Sequence, residues 1–141
     1  SRYGLEDEMM RHAWMILPAL MSLAACVEKE KVPSGAEDFA TFCSACHGAG
    51  GKGDGDAAAT LDRKPADLTG LSARNGGAFP GTRVMAKIWG YTGGHDGKSP
   101  MPQFGPLLQG ELVPYDGGDG IATPTPVRLV GIAQYLKTLQ D

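Results

Sequence analysis

Cys43-Ser44-Ala45-Cys46-His47 decides how the rest of this 141-residue chain is read. Two thiols stand three positions apart, and an imidazole follows directly after the second. Placed at the end of a helix, such thiols can reach the two vinyl groups on one edge of a porphyrin. The imidazole then comes up beneath the iron. C-x-x-C-H is the spacing that attaches c-type haem. Other chemistries use parts of the same pattern. A thioredoxin-like C-x-x-C belongs beside a βαβ unit, and no such pattern is visible. A zinc site needs a fourth ligand, for which His95 or an aspartate is available, but no second cysteine pair exists. A disulfide between Cys43 and Cys46 leaves the adjacent histidine without a role.

Haem iron normally takes a sixth ligand, and Met101 is the best candidate. It lies in Ser99-Pro100-Met101-Pro102-Gln103-Phe104-Gly105, where flanking prolines stiffen an extended loop and present the thioether in a fixed direction. Met85 and His95 are the alternatives. Met85 falls in a short helix beside Ile88 and Trp89, where packing is its ordinary role. His95 falls in the glycine-flanked run Gly93-Gly94-His95-Asp96-Gly97, where solvation is the ordinary outcome.

Composition fits a domain that needs help filling its interior. The length suits one domain. There are 21 glycines and 10 prolines, aromatic residues are only 7%, and 42% of the chain is hydrophobic. A short, loop-rich chain of this kind buries little apolar surface by itself. The net charge of −3 and a pI near 5.5 exclude nucleic acid as a partner. The three cysteines are too few for a disulfide scaffold.

The third cysteine has its own context. Trp14 to Ala25 is uncharged, too short to span a bilayer, and of signal-peptide length. Arg11 and His12 supply a positive flank, and Pro18 would disrupt a core helix. The segment ends in Leu23-Ala24-Ala25-Cys26, which resembles the lipobox of bacterial lipoproteins, whose cysteine is acylated and becomes the mature N-terminus. Glu6, Asp7 and Glu8 do not suit a positive leader. Translation is therefore expected to start at Met9 or Met10, with residues 1–8 upstream or added sequence. The expected organisation is a signal peptide over 1–26, a charged tether over 27–33 and one domain over 34–141.

Within that domain the pattern is helical. Ser34 and Glu37 form a capping box for a helix carrying Ala36, Phe39, Ala40 and Phe42. Pro126 suits the first turn of a last helix running to about Gln140, with Leu129, Ile132, Leu136 and Leu139 on its apolar face. Thr82 can cap a helix over 83–89, which Gly90 would end. Residues 67–73 suit another turn or two. No alternating apolar run argues for a sheet, so the expected class is all-α.

Taken in order, the residues from Ser34 to Gln140 resemble a small monohaem class I cytochrome c of the bacterial type. The likeness is carried by Gly35 and Phe39, Cys43 to Gly48, Gly53-Asp54-Gly55, and Pro65-Ala66-Asp67-Leu68-Thr69. It continues through Asn75-Gly76-Gly77, Ile88-Trp89-Gly90, Met101 to Gly105, and Tyr135-Leu136. The resemblance implies three to five short helices wrapped around one covalently bound haem. Its first and last helices cross, Gly35 and Phe39 meeting Tyr135. It also implies that Pro65 offers its carbonyl to the second nitrogen of His47.

Weaker expectations concern the surroundings. Arg74, Asn75, Arg83 and Trp89 are candidates to bind haem propionates. Leu68, Leu71, Ile88, Phe104, Leu107 and Leu108 are candidates to line the pocket. The glycines of Gly48-Ala49-Gly50-Gly51-Lys52-Gly53 match G-x-G-x-x-G, but a dinucleotide site needs a preceding strand. They suit backbone turning around a porphyrin edge instead. Asp116 and Asp119 suggest a solvated turn rather than calcium.

With His47 and Met101 filling both axial positions, the expected function is a one-electron carrier and not an enzyme. The alternative is a haem enzyme or gas-binding protein with a displaceable sixth ligand. The resemblance implies redox partners such as a quinol-oxidising complex, a terminal oxidase, or a periplasmic reductase or dehydrogenase. The protein would be a monomer or a subunit of such a complex. A lipid on Cys26 would hold it to a bacterial membrane on the periplasmic side.

Overall fold

A computed structural model describes residues 30–92 and 100–141. The chain divides into Ser1–Lys31 and Val32–Asp141, and the fold is that of the second unit. The leader, Cys26 and His95 lie outside the described residues.

The first helix, α1, runs Gly35–Phe42 and starts as its capping box requires. Ser34 Oγ accepts from the Glu37 N–H at 3.2 Å, and Glu37 Oε2 accepts from the Ser34 N–H at 2.6 Å. Cys43 ends α1 and opens the single turn α2, Ser44–His47. Short 3-10 turns follow at Asp56–Thr60 and Ala73–Asn75. Helix α3 spans Gly81–Trp89 and stops at Gly90, whose φ of 111° is easy only for glycine. Thr82 does not cap it. The helix begins two residues earlier than expected, at Gly81, and Thr82 instead donates its N–H to Gly117 O at 3.0 Å and its hydroxyl to Asp119 Oδ2 at 3.0 Å. The last helix, α4, covers Val127–Thr138.

Helices α1 and α4 cross at backbone contact. A Cβ on Gly35 would lie 1.9 Å from the Gly131 carbonyl oxygen, so only hydrogen fits there. Beside the contact, the Phe39 and Tyr135 rings meet with centroids 5.2 Å apart. Phe39, Leu129, Ile132, Ala133 and Leu136 form the core of this crossing, and Met85, Ile88 and Leu108 close it from α3 and the loop beyond. Each of the buried Phe, Leu, Ile and Met side chains contributes about 1.5–3 kcal/mol on burial. Met85 is thus a core residue, with 8% of its surface exposed.

The fold is mostly helical, but it is not all-α. Strands β1, Leu112–Asp116, and β2, Ala122–Pro126, pair antiparallel with Pro114 opposite Pro124 and Leu112 opposite Pro126. Three prolines in ten residues hide a hairpin from propensity. Prolines facing each other at a pair that exchanges no hydrogen bonds cost the ladder nothing. The hairpin turns on Asp116, whose Oδ1 accepts from the N–H groups of Gly118, Asp119 and Gly120 at 2.8, 3.1 and 3.0 Å. Asp119 is likewise bonded to Thr82 and to the Ile121 N–H, so this pair of aspartates shapes a turn.

Candidate haem-attachment site

The motif sits where α1 hands over to α2. Cys43 is buried, Cys46 is half-buried, and both are free thiols. Burial above all, with the Asp38 carboxylate and Cys46 adding to it, pushes the Cys43 thiol up to about 11. A thioredoxin-like nucleophile needs the opposite shift. Among the described residues, no group of three or more His, Cys, Asp or Glu is placed to hold a metal ion. Among the described residues the zinc reading therefore finds no ligand set, and His95 lies outside them.

The glycine loop after His47 folds back onto the motif. The Gly53 N–H donates to His47 O at 2.8 Å, the Gly55 N–H to Cys46 O at 3.2 Å, and the Gly48 N–H to Ser44 O at 2.8 Å. These bonds satisfy carbonyls that a one-turn helix would leave orphaned. Gly48, Gly51 and Gly53 all have φ between 74° and 78°, which explains why glycine occupies them. Their freedom therefore serves this return to α2.

The carbonyl facing His47 belongs to Ala66, not to Pro65 as the resemblance implied. His47 Nδ1 lies 3.0 Å from Ala66 O. The Pro65 carbonyl is turned instead against Gly53, where an added Cβ would lie 2.3 Å from its oxygen. A carbonyl only accepts, so this contact places the proton on Nδ1 and leaves the Nε2 lone pair as the ligand. That is the tautomer an iron-bound histidine requires, and the bond also fixes the ring. The residues present thus fit a haem. The two thiols are uncommitted, the imidazole is in the ligating tautomer, and Phe42, Leu68, Trp89, Met101 and Phe104 are only partly buried against the core.

Met101 is half-buried, and the segment it opens is held by distant residues. The Phe104 N–H donates to Ile88 O at 3.0 Å, and the Phe104 ring meets Phe42 with centroids 6.0 Å apart. A 3-10 turn at Gly105–Leu107 then leads to the fully buried Leu108. Leu107, expected in the pocket, is 54% exposed.

The expected propionate residues are engaged with neighbours along the chain. Arg74 donates to Asp67 O, and Arg83 Nη2 donates to Asn75 Oδ1 at 3.1 Å. Asn75 Nδ2 donates to Ala78 O at 2.8 Å. Trp89 packs its ring against Gly105 and stacks on Tyr91 at 6.2 Å between centroids.

Sequence reasoning missed four contributors. Ala66 was one residue from the expected carbonyl. Gly131 had a signal, a glycine inside a helix with an apolar face. Asp38 and Arg128 form a bidentate ion pair across α1 and α4, with Asp38 nearly fully buried. Nothing in the spacing of residues 90 apart announces that pairing.

A family model described as cytochrome c matches residues 32–116, more than half of the chain. Neither a curated protein nor a solved structure matches it.

Proposed function

Because the chain belongs to the cytochrome c family, whose domain carries covalent haem c and transfers electrons, we propose that it is a one-electron carrier with axial ligands His47 and Met101. The observation that carries this reading is the His47 Nδ1 contact to Ala66 O, which commits the imidazole to a ligand's tautomer. Bound haem would supply the ferric/ferrous couple. Cys43 and Cys46 would hold it through thioethers, and Met101 would close the face opposite His47. Two protein ligands keep substrate off the metal, and a thioether favours the reduced state relative to a second nitrogen. A haem in an apolar setting favours the less charged ferrous form as well.

The carrier would be tethered through an acylated Cys26 at the periplasmic face of a bacterial membrane. Leu23-Ala24-Ala25-Cys26 supports that reading, and an unacylated Cys26 in the mature protein removes it. Among the described residues no helix is long and apolar enough to cross a membrane. Partners would be quinol-oxidising complexes, terminal oxidases, or periplasmic reductases and dehydrogenases, met through small transient interfaces.

Absorption spectra of the ferric and ferrous holoprotein, with and without carbon monoxide, test the ligation. The expected result is a low-spin spectrum, slow or absent carbon monoxide binding, and loss of the iron–thioether signature in Met101→Ala. Ready carbon monoxide binding by the parent protein would make it a gas-binding or catalytic haem protein instead. A Met101→Ala protein with the parent's spectrum would assign the sixth position elsewhere.

A further inference from the structure

The last helix makes a polar contact with the Met101 segment through Arg128, beside the apolar packing of Leu108 in the core. Arg128, at the second position of α4, donates from Nε and Nη2 to the two carboxylate oxygens of Asp38 in α1, the former at 3.0 Å. From Nη1 it donates to the Leu107 carbonyl at 2.9 Å. Its guanidinium carbon also lies 5.7 Å from the centre of the Phe42 ring. Asp38 and Phe42 belong to the helix that leads into Cys43. Leu107 and Phe104 close the segment that Met101 opens. One planar cation therefore touches both the helix that leads into Cys43 and the segment that Met101 opens.

Guanidinium chemistry suits that task. A fork with five donors can satisfy a carboxylate bidentately and still reach a carbonyl. An ammonium is a single point donor and cannot span the three acceptors. Asp38 is buried, so its charge keeps Arg128 in place, because separating the pair would strand a charge in apolar surroundings.

We propose that Arg128 is a positioning residue for the sixth ligand: anchored by Asp38, it holds Met101–Leu108 against α1 so that Met101 stays closed on the iron. The proposal rests on the His47/Met101 reading above. Without the fork, the segment keeps its tie to Ile88, the Phe104–Phe42 ring contact and the buried Leu108, but loses the polar link that joins Leu107 through Arg128 to Asp38. The Gly35–Gly131 and Phe39–Tyr135 contacts do not pass through the guanidinium, so the helix crossing persists. Opening of the sixth position is thereby separated from unfolding.

The test compares ferric and ferrous holoprotein of the parent, Arg128→Lys and Met101→Ala. Two melting midpoints are read, one from the long-wavelength absorption of the ferric iron–thioether bond and one from far-ultraviolet helicity. Carbon monoxide binding to the ferrous protein is the second readout. In Arg128→Lys the absorption is expected to vanish well below the helicity midpoint. Carbon monoxide should bind at least about tenfold faster, since the rate scales with the open fraction. Arg128→Lys protein that melts in one step and excludes carbon monoxide like the parent overturns the proposal. Met101→Ala isolates the underlying reading: if that variant keeps the parent's absorption, the ligand assignment fails and not the clamp alone. If Arg128→Lys yields no holoprotein, Asp38→Asn replaces it, keeping one side-chain oxygen and the bond to Leu107. The same separation of midpoints is expected there at smaller size, and a single joint transition overturns the proposal equally.

Discussion

The two sides of the site are built by opposite means. On the His47 side, Gly53 and Gly55 return to the carbonyls of His47 and Cys46, and the Ala66 carbonyl, 19 residues away, accepts the hydrogen bond from the imidazole. The Leu68 N–H then closes on Gly51 O at 2.7 Å. On the Met101 side, the segment depends on Ile88 in α3 and on Arg128 in α4, and Arg128 depends on Asp38, 90 residues before it. Short loops close at low entropic cost, whereas the second arrangement exists only once both chain ends have docked. The histidine side should therefore persist through partial opening, and the methionine side should be first to yield.

The largest expected effect breaks the distant side. Asp38→Ala removes the buried carboxylate of a bidentate ion pair and should lower stability by about 3–5 kcal/mol in urea unfolding. A loss near zero would mean that the long-range tie adds nothing and that the contrast is false. Next comes Gly53→Ala, which breaks the local side. Its φ of 75° and the Pro65 oxygen 2.3 Å from the added Cβ force the loop to shift. The cost should be about 1–3 kcal/mol. Because this change leaves the Met101 segment alone, the iron–thioether and helicity midpoints should fall together, and their separation would show that the two sides are not independent.

The smallest effect sharpens what locality is worth without burial. The N–H groups of Gly118 first, then Gly120, with Asp119, hold the Asp116 carboxyl below its ordinary value of 3.8. A depressed folded value means stability present in full above 3.8 and lost as pH falls through the lowered one. Asp116→Asn should therefore lower stability slightly at neutral pH and make the decline below pH 3.8 shallower. Acid titration of the unfolding midpoint checks it, and identical profiles would refute it.

Much of this organisation was legible from residues alone because it is local. The Ser34–Glu37 box, the Gly90 stop and the apolar faces of α1 and α4 all depend on spacing within a few positions. The hairpin was hidden because Pro114, Pro124 and Pro126 argue against strands, and only the pairing of Pro114 with Pro124 removes the objection. Pro65 and Ala66 differ by one residue, and what decides between them is the close approach of Gly53 to the Pro65 oxygen. Arg128 and Asp38 were illegible for a third reason: a charged residue in a helix reads as solvated until tertiary structure places another helix over it.

The hairpin has a consequence of a different kind. A two-stranded ribbon exposes both of its rims, and an exposed rim is a template on which another extended chain can add itself. In the observed register, Ala122, Pro124 and Pro126 turn their nitrogens outward along β2, and the two prolines have no hydrogen to offer. Pro114 leaves the same gap midway along the rim of β1. A strand arriving at either side would find a ladder with missing rungs. The residues that disguise this hairpin in the sequence are the ones that keep it from recruiting its neighbours into aggregates.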